Sequence, residues 1–138
     1  MTPAIDKDAA LRFLSALAPD ESVVFQTFDD SDTKAPALAA TIPGAAGVIP
    51  EKLLANAGAG AGAFYCVNAT DDTGNRKAEN ITAIRALFVD FDTVDHERPE
   101  RMAELFMLEP SAVIESSPGK HHVYWMLDTE AGQLALED

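Results

Sequence analysis

A chain of 138 residues, 47% hydrophobic and 24% charged, has the size of one globular domain, which excludes both an intrinsically disordered segment and a two-domain protein. It has no apolar run of about 18 residues, no basic-then-apolar leader at its N-terminus and one cysteine, Cys66, which together exclude a membrane span and an internal disulfide and point to the cytoplasm. A net charge of −13, from 23 acidic and 10 basic residues, excludes strong nucleic-acid binding through a broad basic face.

The first predicted element is a helix over Asp6–Leu17. Ala10, Phe13, Leu14 and Leu17 fall at i, i+3, i+4 and i+7 and form one apolar stripe, and Ala18-Pro19 ends it. Val23–Phe28 is β-branched and aromatic and reads as a strand, followed by a polar loop from Asp29 to Asp32. Pro50–Ala57 reads as a short helix with proline in its first turn. The run Gly58–Gly62 (GAGAG) lacks the GK[ST] ending of a phosphate-cradling loop and reads as a flexible connection.

Ala63–Asn68 is expected as a strand and Asp71–Asn75 as a turn-rich loop. Ala86–Phe91 (ALFVDF) is apolar enough to be expected in the middle of a sheet. A helix over Pro99–Phe106 puts Met102, Leu105 and Phe106 on one face. Ser111–Glu115 and His121–Met126 are expected as strands of a hairpin joined by the tight turn Ser116–Lys120 (SSPGK).

The chemistry gathers around these last strands. Asp90 and Asp92 are two residues apart at a strand end, so their side chains point the same way, with Cα atoms roughly 7 Å apart. Two aligned carboxylates repel unless neutralised, and a divalent ion that also binds substrate phosphates does this. A strand that merely turns polar as it enters a loop accounts for Asp-Phe-Asp equally well. In the hairpin, His122 and Tyr124 share one face, while His121, Val123 and Trp125 share the other. Ser116, Ser117, Gly119 and Lys120 supply hydroxyls, turn amides and an ammonium suited to a triphosphate.

Arg85–Asp92 (RALFVDFD) followed by Pro110–Trp125 (PSAVIESSPGKHHVYW) resembles the archaeo-eukaryotic primase superfamily, and within it the RepB-like primases of plasmids and phages. The resemblance spans Ala63–Leu127 and takes in Arg76, Lys77 and Asn80-Ile81. It implies a DNA primase-polymerase performing metal-dependent nucleotidyl transfer, with Asp90 and Asp92 holding Mg²⁺ or Mn²⁺. Asp90, Asp92 and His122 would be catalytic, and Ser117, Gly119, Lys120 and His122 would meet the nucleotide. The partners implied are nucleoside triphosphates, a single-stranded DNA template, and a helicase domain or replication protein.

The fold implied is α+β. Residues 1–62 form an N-terminal α/β portion, and residues 63–138 form an RRM-like, mostly antiparallel sheet with helices on one face. In that βαββαβ order the last helix and strand, and the third acidic motif they carry, are expected to be missing, since Glu130, Glu137 and Asp138 have no supporting context. Two rivals remain. A primase-like accessory module that binds nucleotide or DNA without catalysis accommodates the acidic surface. A haloacid-dehalogenase-type phosphatase would use Asp90 as nucleophile and Asp92 as acid/base, but leaves the SSPGKHH hairpin without a job.

Overall fold

The computed structural model describes residues 4–92, 108–127 and 134–135, and the expected helix over Pro99–Phe106 lies outside them. The architecture is α+β, with antiparallel pairing throughout the described strands. Two compact units are formed: the chain leaves the first after Ile84, enters the second at Arg85 and is back in the first from Leu134.

The first unit opens on α1 (Lys7–Leu17). Asp6 is its cap rather than its first residue: the carboxylate accepts from the Ala9 amide at 2.9 Å and satisfies one of the free N–H groups of the first turn. The predicted stripe turns inward, with Leu17 buried, Leu14 packed on the core and Phe13 edge-on to Tyr65 at 5.2 Å. Strand β1 (Val24–Phe28) pairs with β2 (Ala40–Pro43) on one side and β3 (Gly62–Tyr65) on the other. The core gathers Ala18, Val23, Phe25, Ile42 and Leu53, the last from α2 (Glu51–Gly58). A buried polar link ties α2 to the sheet: Asn56 donates to the Thr27 hydroxyl at 2.8 Å, and Thr27 donates to the Leu38 carbonyl at 2.9 Å. Each partner satisfies a group that would otherwise be costly to bury.

The GAGAG run is more ordered than a flexible connection. Gly58 ends α2, the amides of Ala59, Gly60 and Ala61 close its last carbonyls, and Gly62 opens β3. Phe28 and Phe64 stack at 4.6 Å, nearly parallel, and a Cβ on Gly62 would lie 2.9 Å from the Phe64 ring. The strand expected over Ala63–Asn68 ends at Tyr65, with β3; a bend follows, and β4 (Ala69–Thr70) begins beyond it.

Strand β4 pairs with β5 (Ile81–Ile84), and β5 with the two-residue β9 (Leu134–Ala135). The Asp71–Asn75 loop between β4 and β5 is a turn, as its composition predicts. Asn80 braces it, donating to the Asp71 carboxylate at 3.0 Å and accepting from the Lys77 amide at 3.1 Å.

The second unit is a three-stranded sheet in the order β6-β8-β7, built from β6 (Ala86–Phe91), β7 (Ala112–Ser117) and β8 (Lys120–Met126). The hairpin is present as expected, and its first strand runs two residues further than predicted, to Ser117. The central position is not. Strand β8 takes it, and β6 lies at the edge among the described strands, with Leu87, Phe88 and Val89 36–56% exposed. An apolar strand reads as central because burial on both faces demands such a sequence. Here Val123 and Tyr124 of β8 are the fully buried pair instead.

Candidate active site

Register places the site. On β6, Asp90 stands directly opposite His122 of β8, and Phe91 opposite His121. Side chains alternate along a strand, so His122 joins the aspartate face and His121 turns away. The His122 Nε2 lies 3.3 Å from Asp90 Oδ1. Just past the end of β6, Asp92 Oδ1 lies 4.0 Å from the Lys120 Nζ. Each predicted metal ligand thus rests against one predicted phosphate ligand. These side chains are between one-third and three-quarters exposed, and pairs so open to water contribute only about 0.2–1 kcal/mol each. Incoming ions and phosphates can displace them at little cost.

The turn is laid out less simply than its sequence suggested. Ser117 pairs with Lys120 and closes the hairpin, and a register shift between Glu115 and Ser117 displaces Ser116 from the ladder. The Ser116 hydroxyl reaches the Lys120 carbonyl at 3.4 Å. Gly119 has φ +77°, a left-handed conformation that glycine adopts without strain. Its amide, predicted to face phosphate, donates to the Glu115 carboxylate at 3.0 Å. The one signal for this was spacing: an acidic residue four positions before a turn glycine can fold back onto its N–H.

A second residue without a predicted role is Tyr124. Its ring is buried against Phe88, centroids 5.7 Å apart, and its hydroxyl lies 3.4 Å from His122 Nδ1. The i, i+2 spacing placed it on the histidine's face, but its hydroxyl's position follows only from how the ring packs.

As a metal site, the face offers two hard oxygen donors from neighbouring positions, which suits Mg²⁺ or Mn²⁺ held jointly by one or two carboxylates and substrate phosphates. Among the described residues no cluster of three or more metal-binding side chains occurs, and Glu130, Glu137 and Asp138 lie outside them. No helix among the described residues is long and apolar enough to cross a membrane.

No curated protein matches this sequence. Among solved structures, the AEP domain of the primase-polymerase of cyanophage S-2L superposes with a TM-score of 0.70 at 20% identity. The match covers 96% of this chain and 66% of that one, and at such identity it speaks to fold alone. The family model of the RepB DNA-primase N-terminal domain matches residues 46–136, which takes in both aspartates, the whole hairpin and part of the first unit. None of these findings supports the phosphatase alternative. A family match over most of the chain, a shared fold and an Asp-x-Asp strand set against a histidine hairpin make this chain a member of the RepB DNA-primase N-terminal domain family.

Proposed function

We propose that this chain is the catalytic domain of a DNA primase-polymerase and transfers nucleotides to a growing primer at the β6–β8 face. The observation that carries the reading is the paired arrangement Asp90–His122 and Asp92–Lys120, acid and base side by side on adjacent strands. Asp90 and Asp92 would hold Mg²⁺ or Mn²⁺. Bound there, the ion would neutralise phosphate charge and favour attack by a primer 3′-hydroxyl on the nucleotide's α-phosphate.

The remaining work belongs to the chain's own side chains. His122 and Lys120, released from the aspartates, would donate to phosphate oxygens, and Ser117 would add a hydroxyl at the hairpin end. Gly119 would contribute its amide once Glu115 swings off it. Nucleoside triphosphates and a single-stranded DNA template are the proposed substrates, a helicase domain or replication protein a proposed partner, and the cytoplasm the proposed location.

The net charge of −13 favours a second reading, in which the same face binds nucleotide within a replication accessory module and performs no transfer. One set of measurements separates the two. Calorimetry should show Mn²⁺-dependent nucleotide binding that Asp90→Asn or Asp92→Asn weakens by roughly tenfold or more, as loss of an anionic ligand requires. Primer extension that tracks this binding establishes the primase. Binding without extension establishes the accessory module, and the absence of both removes the site.

A further inference from the structure

We propose that Phe88 is the stacking surface for the nucleobase of a nucleotide whose phosphates lie at Asp90 and Asp92. This role rests on the reading of that face as a metal and phosphate site, and adds the contact that recognises the nucleoside. Phe88 and Asp90 are two residues apart on β6, so their side chains share a face, with Cα atoms roughly 7 Å apart. Register sets Phe88 opposite Tyr124 and Asp90 opposite His122, so two paired strands carry aromatic rings and charged groups side by side. Leu87 and Val89 are exposed as well, but alternation turns them to the other face.

The ring is backed on one side and open on the other. Tyr124, itself 2% exposed, packs against it with centroids 5.7 Å apart and planes inclined by 30°, while Phe88 is 52% exposed. That spacing is within the range of offset-stacked rings, and a base laid on the open side would extend the stack by one layer. Every nucleobase has a flat π-face, so such a platform accepts different bases alike. The separation of Phe88 and Asp90 is comparable with that of base and phosphate across one sugar. A chain with a net charge of −13 gains little long-range attraction for phosphates, and an uncharged contact to the base supplies affinity that electrostatics does not.

The test separates base from phosphate. Calorimetry in Mn²⁺ compares a nucleoside triphosphate with inorganic triphosphate, which carries the phosphates and no base. Wild type should bind the nucleoside triphosphate at least roughly fivefold more tightly, the value of one stacked base. Phe88→Leu keeps an apolar side chain but no π-face. It should lose most of that advantage with each of the common bases, and bind inorganic triphosphate as wild type does. Phe88→Trp should retain the advantage. An equal loss for both ligands in Phe88→Leu, unrelieved in Phe88→Trp, would mean that Phe88 acts through packing of the sheet. Unchanged affinity for the nucleoside triphosphate in Phe88→Leu would mean that the base lies elsewhere. Either result overturns the proposal and leaves the phosphate site standing. If wild type binds neither ligand, the phosphate site falls, and the role of Phe88 falls with it.

Discussion

Two partly exposed aspartates of the first unit, Asp29 and Asp71, show how single side chains shape this protein's response to acid. Both carboxyls are held below their ordinary pKa. Asp29 is lowered first by the Ser31 side chain, then by the amides of Ala35 and Ser31; Asp71 is lowered first by the Asn80 side chain, then by Thr73. A carboxyl with a depressed folded pKa stabilises the native state above its unfolded pKa, and that contribution disappears as pH falls through the folded one. Thermal melts of wild type should therefore lose stability on acidification from pH 5 toward the low carboxylate range. Asp71→Asn should start less stable at neutral pH and decline less steeply. Parallel curves for the two proteins would show that the Asn80 brace contributes nothing. The sequence announced Asp71–Asn75 as a turn, but Asn80, five residues beyond it, supplies the bonds that matter.

Among the elements, β3 shows what pattern reading missed. Gly62 looked like the end of a low-complexity linker, yet the Phe28–Phe64 stack occupies the space where a side chain would stand. Gly62→Ala should cost about 1–3 kcal/mol, as overpacking does, read as a fall in Tm. Gly58→Ala, where a Cβ meets nothing within 4 Å, is the matched control and should be close to neutral. Equal effects would mean that the rings simply move aside. Strand β6 was legible to the residue because an apolar run from Ala86 to Val89 leads into Asp-Phe at its end, and α1 was legible from its stripe. Strands β2, β4 and β5 were not, because each is four residues or fewer and owes its conformation to distant partners: Ala40–Pro43 to β1, Ala69–Thr70 to β5. In the candidate site, the shared face of Asp90 and His122 was legible because alternation along paired strands suffices to place them. Glu115 and the Tyr124 hydroxyl were not, because they depend on a fold-back and a packed ring.

At the scale of the whole molecule, β5 and β6 are consecutive strands separated by Arg85 alone, yet they belong to different sheets. Strand β5 pairs instead with β9, which returns some fifty residues later and rejoins the first unit. Ile84 stands opposite Leu134 in that ladder. The second unit is thus spliced into the first through two adjacent strand ends, the arrangement of an inserted cassette rather than a tandem domain. Such a cassette is removable in principle. Replacing residues 85–133 with an Asn-Gly turn would convert β5 and β9 into a continuous hairpin. The excised protein should keep the α1, α2 and β2-β1-β3 core and show a cooperative melt, while losing the nucleotide binding proposed for the β6–β8 face. A chain that fails to fold after the excision would show that the host unit depends on its insert. If it folds, the β6-β8-β7 sheet becomes a transplantable part, and related hosts could exchange such sheets by cutting at the same two strand ends.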